Sequence, residues 1–446
     1  MTWDDHWRIH WHRLTESWIC ALSTGNSRPS TPQVKFCERS VPWRNAITRK
    51  SAAHTVRLIA ALTGLLILAD CMGGNNNIKI LPPGCGNNCP PSPEFLYATS
   101  PNHVLGFTID QSTGALSAPS VVAGPNQSSG ITGTISLGHL YVSDFLNDTV
   151  DGFSSNSSTG ALTPSTGSPF SLGGTPPGAG GLSPFVADGP YFYATDLNAR
   201  SVAGFSFDTN SGALTQVPGS PFAAGNTPVQ TAQAGTQGKF LYVSDNGDSA
   251  GGILGFTIDP NTGALTPMSG SPFPTGPAGS FPGPSALIAN GNFLYVALAG
   301  TVNANNQIVV FSIDPNTGSL TPIPGSPFGC GNDPLYMTIV PVTISSQAFL
   351  YTANIQDNTI SAFTVNETTG VLTSVSGSPY SGASALAGLA VSPTATNSGN
   401  FFLYAADQSG HILGYTIDGN TGALTPLAGS PFSTGNSPIL LTIVRP

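Results

Sequence analysis

The chain has 446 residues, a formal net charge of −9 and only 8% charged residues. A negative surface with so few basic side chains argues against nucleic acid and against anionic membrane surfaces as partners. A hydrophobic content of 39% excludes a wholly disordered chain, despite 53 Gly and 39 Pro.

Two compositions are joined near residue 56. Nine of the 13 Lys and Arg lie at or before Arg57, and all five Trp fall between Trp3 and Trp43. Residues 1–55 show no sustained apolar period and read as a disordered or non-native leader. From Val56 the chain runs VRLIAALTGLLILADC: a basic residue, an apolar run from Leu58 to Ala69, and Cys71. That run is too short to span a bilayer and has the anatomy of a secretory signal. Leu68-Ala69-Asp70-Cys71 resembles a bacterial lipoprotein signal, which implies lipidation at Cys71, although Asp70 departs from the small uncharged residue usual there. A signal belongs at a start, so translation from Val56 on a non-AUG codon is the expectation. Residues 72–94, rich in Gly, Asn and Pro, read as a tether. Cys85 and Cys89 within it suit a local disulfide in an exported protein, with Cys330 a free thiol or alternative partner.

From residue 95 the chain repeats. Tyr97, Tyr141, Tyr193, Tyr242, Tyr295, Tyr351 and Tyr404 mark seven units spaced about 51 residues apart. The unit beginning at Phe240 shows the parts. FLYVS is apolar at both parities, as a strand buried on both faces must be. Ile253–Ile258 is a second strand, Asp259-Pro260-Asn261-Thr262-Gly263 a turn, and Ala264-Leu265-Thr266 a third strand. A Gly/Pro-rich loop then leads to a fourth apolar run, Ser285–Ile288. Four strands per unit, seven units and no helix predict an all-β fold, a seven-bladed β-propeller with four antiparallel strands per blade over residues 95–446. The first unit has no preceding fourth-type run, whereas the last is followed by Pro438–Val444. The C-terminal strand is therefore expected to complete the first blade and remove the open edge.

Trp is absent after Trp43, which leaves no WD or kelch signature. The LYVSD, LYVAL, LYTAN and LYAAD segments, with the I-D-x-x-T-G-x-L phrase, resemble the YVTN-type repeats of the lactonase-like seven-bladed propellers. That family includes the bacterial 6-phosphogluconolactonases, so the resemblance implies lactone hydrolysis as an expected activity. One propeller scaffold carries many activities, however.

Residues repeated in every unit build blades. Asp110, Asp208, Asp259, Asp314 and Asp418, with Asn156 and Asn366, share one turn position where an Asx side chain bonds its own backbone. The GSPF and GSPY aromatics are expected to pack between blades. Asp144, Asp196, Asp245 and Asp407 end the LYxxD strands on one rim; they are candidates for a cation or hydroxyl-rich ligand, or else caps of strand-end turns. His103 and His411 precede corresponding strands in the first and seventh units, which ring closure makes neighbours, so the candidate catalytic set is His103, His411, Asp407 and Arg200. A sugar-phosphate lactonase needs several basic residues at the phosphate, and Arg200 alone is placed on this rim. No metal-ligand spacing, Ser-His-Asp arrangement or nucleotide fingerprint has the required context, and no cofactor is expected.

These residues predict an exported, lipid-anchored monomeric propeller at the cell envelope. It serves as a platform for a glycan, a small neutral ligand or an envelope protein, and meets the membrane only through its anchor. The alternatives are a hydrolase acting on an unphosphorylated lactone and a purely structural repeat protein.

Overall fold

A computed structural model describes residues 19–20, 35–36 and 93–446, the last apart from 126, 129, 134–136, 183–189, 248–251, 277–282, 300–305, 341–346 and 393–400. The chain divides into a unit of residues 1–91 and a unit of residues 92–446. In the first, a two-residue ladder pairs Ile19–Cys20 with Lys35–Phe36. The signal, Cys71, Cys85 and Cys89 lie outside the described residues. Among the described residues no helix is long and apolar enough to cross a membrane.

The second unit is a ring of seven antiparallel sheets. In blade 4 the strands lie in the order Pro228–Ala234, Phe240–Asp245, Gly252–Ile258, Leu265–Pro267. Every residue of Phe240–Asp245 is buried, because a central propeller strand has a neighbouring blade on each face. The innermost strands of successive blades touch one another around the full circle. Each fourth apolar run pairs not with its own unit but with the LYxxD strand of the next, so every blade straddles two units. Blade 1 is therefore completed by Leu441–Val444, with Phe95 opposite Val444 and Ala98 opposite Leu441. The expected ring closure is present.

The outer strand is broken in two. After Leu265–Pro267 the chain leaves the sheet and returns as Phe273–Pro274, pairing with the other end of Gly252–Ile258. The Ser of each Ser-Pro-aromatic phrase bridges the break: Ser271 Oγ accepts the Gly255 N–H at 3.0 Å, and Ser168, Ser220, Ser326, Ser378 and Ser430 repeat the bond. Blade 1 has no such phrase, and its outer strand is the single segment Ser120–Ala123.

The core lies in the seams. Among the described residues seven apolar clusters each join two adjacent blades; one unites Tyr242, Ile253, Met268 and Phe273 of blade 4 with Leu294, Val296 and Phe311 of blade 5. The GSPF aromatics take part as expected, Phe170 and Phe273 fully buried and Phe222, Phe328, Tyr380 and Phe432 half-buried. Each buried Leu or Phe contributes about 1.5–3 kcal/mol.

Polar bonds repeat the same seams. The central tyrosine donates to the Thr-Gly turn of the following blade: Tyr97 to the Gly160 carbonyl, Tyr141 to Gly212, Tyr193 to Gly263, Tyr242 to Gly318, Tyr351 to Gly422, and Tyr404 to Gly114 across the closure, at 2.6–2.8 Å. The Tyr295 hydroxyl is buried with no such partner. Gly263 sits at φ 73° against the Tyr191 ring, where a side chain would be both strained and in collision.

Candidate functional site

The B-type strands (Phe240–Asp245 and its equivalents) run from one face of the ring to the other. Their starts and the Asx turns lie on one face; their ends, carrying Asp144, Asp196, Asp245 and Asp407, lie on the opposite rim.

These four aspartates are buried rather than open to solvent. Asp144 accepts the N–H groups of Leu146 and Asn147 at 3.1 and 3.2 Å and the Asn147 amide at 2.7 Å. Asp245 accepts from Asn226 N, Thr227 N and Gly247 N at 3.0, 2.7 and 3.1 Å. Asp196 accepts from Ala199 N at 2.8 Å. Capping of loop backbone is thus what Asp144 and Asp245 do. Asp151, half-buried on the neighbouring strand, is pushed up to about 6, first by burial and then by the Asp144 charge.

At blade 7 the rim carries a connected polar set. Asp407 accepts from Ser384 N at 2.9 Å, Ala385 N at 3.1 Å, Ser409 N at 3.0 Å and Ser384 Oγ at 3.1 Å. Burial alone would raise its pKa; the bonds from Ser384 and Ser409 outweigh it and hold the carboxylate below its ordinary value. Ser384 Oγ also lies 3.2 Å from Ser409 Oγ, and Ser409 Oγ lies 3.2 Å from His411 Nδ1. Both serines are exposed and His411 half-buried. The result is a carboxylate, two hydroxyls and an imidazole in one hydrogen-bonded row, a hydroxyl within reach of a base.

The other proposed members stand apart from this row. His103 begins the corresponding strand in blade 1, opposite Ser100, and its Nδ1 is bonded to the Pro101 carbonyl at 2.9 Å. No hydrogen bond joins His103 to His411 among the described residues. Arg200, exposed in the blade 3 turn at φ 55°, donates to Asn226 Oδ1 at 3.2 Å, which makes it a link between blades 3 and 4. Lys239 is on the opposite face, bonded to the Asn316 carbonyl. His139 stands in a phenylalanine position, buried, with Nε2 3.2 Å from the Thr209 carbonyl and Nδ1 3.2 Å from Ser154 Oγ; burial lowers its pKa. Cys330 is a free, half-buried thiol raised by burial to about 12. Among the described residues no three His, Cys, Asp or Glu side chains converge as a metal centre.

Sequence reasoning missed Ser384 and Ser409. Ser409 was legible as the second residue after Asp407, a spacing at which carboxylates cap turns. Ser384 was not, since it comes from the loop 23 residues earlier and meets Asp407 only through strand pairing.

Among solved structures the chain is similar to a candidate 6-phosphogluconolactonase from Bacteroides uniformis (TM-score 0.62, 18% identity, covering 79% of this chain and 100% of that one). It is likewise similar to one from Bacteroides fragilis (0.60, 20%, 79% and 98%). A third likeness is to the periplasmic gluconolactonase of Pseudomonas aeruginosa (0.58, 18%, 80% and 100%). At these identities the likeness is one of fold. No curated protein matches the chain in sequence. The family model described as "Lactonase, 7-bladed beta-propeller" matches residues 138–327, 184–385 and 341–442, together well over half the chain. With seven sheets closed by the C-terminal strand and the LYxxD and Asx-Thr-Gly elements in their places, the chain belongs to the lactonase family of seven-bladed β-propellers.

Proposed function

We propose that the protein is a hydrolase of an unphosphorylated lactone, acting at the blade 7 rim. The observation that carries this reading is the row Asp407–Ser384–Ser409–His411, in which a buried carboxylate leads through two exposed serines to a half-buried imidazole. His411 takes a proton from the water that adds to the lactone carbonyl; the ring C–O bond then breaks, the alkoxide receives the proton, and the product is an open hydroxy acid. Ser409 and Ser384 hold the imidazole in register with Asp407 and offer hydroxyls to a polyol ring. Arg200 is spent on Asn226, and Lys239 lies on the other face, so among the described residues nothing on this rim matches the cluster of basic residues a phosphate would need. The gluconolactonase of the P. aeruginosa structure is named for a lactone without phosphate, which agrees with this choice. The Val56–Cys71 segment supports export and lipid anchoring at the cell envelope as part of the same proposal.

A non-catalytic platform for a glycan or envelope protein is the second reading, favoured by the commitment of Asp144 and Asp245 to capping. A lactone panel separates the two. Loss of a general base costs roughly 100-fold or more; His411→Ala should show a loss of that order and His103→Ala none. Equal activity in His411→Ala and the parent removes the site, whereas a ligand retained without turnover supports the platform.

A further inference from the structure

The seven seams are built alike, so each serves as a control for the others. At the rim end of a seam two positions meet. One is the last residue of the turn before a third strand; the other is the aspartate ending the second strand of the next blade. Between blades 6 and 7 these are Asn358 and Asp407: Asn358 Oδ1 accepts the Leu386 N–H at 2.9 Å, and Asp407 accepts the N–H groups of Ser384 and Ala385. Between blades 3 and 4 they are Arg200 and Asp245, with Asn226 and Thr227 donating to the aspartate. In both cases the two backbone donors immediately precede the residue paired with that aspartate, Leu386 with Asp407 and Pro228 with Asp245.

Between blades 2 and 3 the positions are Asp148 and Asp196, an acid against an acid. Ala179 pairs with Asp196, and the two residues before it are Pro177 and Gly178. Proline has no N–H to give, and the Gly178 N–H is spent on the Phe145 carbonyl at 2.8 Å. Both carboxyls are closed off from solvent, at 3% and 0% exposure. Among the described residues both oxygens of Asp148 and Oδ2 of Asp196 have no hydrogen-bond partner, while Asp196 Oδ1 accepts the Ala199 N–H. The two groups lie side by side between the same pair of glycines. A methyl on Gly174 would collide with Asp196 Oδ2 and come within 2.9 Å of Asp148 Oδ2; one on Gly178 would collide with Asp196 Oδ1 and come within 2.7 Å of Asp148 Oδ1. Arg200, on the same turn as Asp196, donates instead to Asn226, and Asp144 and Asp151, the other charged groups on the blade 2 strands, are acids too. The Pro-rich loop at 173–178 brings no titratable side chain.

Two buried carboxylates so poorly supplied with donors cannot both stay ionised unless a positive charge sits between them. We propose that Asp148 and Asp196 form a binding site for a hard divalent cation such as Ca²⁺, pinning blade 2 to blade 3. Such ions take carboxylate oxygens directly, and Pro177 together with the committed Gly178 N–H denies the pair the backbone donors that the aspartates of the other seams receive. The site is separate from the blade 7 row and stands whether or not that row hydrolyses lactones.

Thermal unfolding of the full-length protein at neutral pH tests it, with chelator, Ca²⁺ or Mg²⁺ added. Ca²⁺ should raise the melting temperature by several degrees over the chelated protein. Asp148→Asn, which installs the amide that blade 6 carries at this position, should abolish that response and raise the melting temperature of the chelated protein. If the variant does not fold, Tb³⁺ luminescence on the parent protein, displaced by Ca²⁺, reads the site directly. A parent protein indifferent to Ca²⁺ and Mg²⁺ that binds no Tb³⁺, and whose melting temperature instead climbs on acidification, would show that the pair is neutralised by a shared proton and overturn the proposal.

Discussion

At the scale of the residue, the Asx-Thr-Gly turn was the most legible feature, because its chemistry is local. Asp259 Oδ1 accepts the N–H groups of Asn261 and Thr262, both at 2.9 Å, and Asp110, Asp208, Asp314 and Asp418 repeat the pattern. Such bonds stabilise the ionised form. Bonds from the Ser112 hydroxyl and from the Thr113 and Ser112 N–H groups bring Asp110 from 3.8 to about 2, and the other four are lowered by the same kind of contact. A depressed pKa contributes stability that is complete above the unfolded value and lost as pH falls through the folded one. Acid unfolding should therefore steepen below the ordinary carboxylate range. Asn156 and Asn366 cap the same turn without titrating. Asp259→Asn with Asp314→Asn should accordingly move the acid midpoint, followed by circular dichroism, to lower pH and leave neutral stability nearly unchanged. An unmoved midpoint would show that these turns do not govern acid stability. Asp148 was illegible by contrast: nothing near it in sequence announces Asp196, 48 positions away in the next blade.

At the scale of the element, two repeated residues took on roles that periodicity alone does not assign. The central tyrosine is apolar by pattern and buried as expected, yet its hydroxyl latches the next blade. Removing one such hydroxyl costs about 1 kcal/mol, more where the facing carbonyl is left buried and unpaired. Tyr242→Phe should lower stability by about that amount in denaturant unfolding. Tyr295→Phe should be close to neutral, since that hydroxyl has no partner to lose. Equal losses in the two variants would dissociate the latch from stability. The serine of the Ser-Pro-aromatic phrase likewise stands in for a missing outer-strand carbonyl. Strand type was readable from composition; the partner of each side chain lay a whole blade away and was not.

At the scale of the molecule, closure is the controlling event. Leu441–Val444 supplies the innermost strand of blade 1, and Tyr404 reaches back to Gly114 across the same junction. Deleting residues 438–446 would strip blade 1 of that strand and expose Phe95–Ala98 along an open edge. Since every core cluster is shared between two blades, the loss should lower the stability of the whole ring rather than of one sheet. A truncated protein that melts where the parent does would refute this. The sequence by itself determined the number of blades, the strand order, the family and the closing strand, because a repeat copies its own backbone pattern and its spacing counts the copies. Only the tertiary structure decided which side chains face each other. Residues remote in sequence met there, Ser384 with Asp407 and Asp148 with Asp196, because each blade is assembled from two units and each seam from two blades.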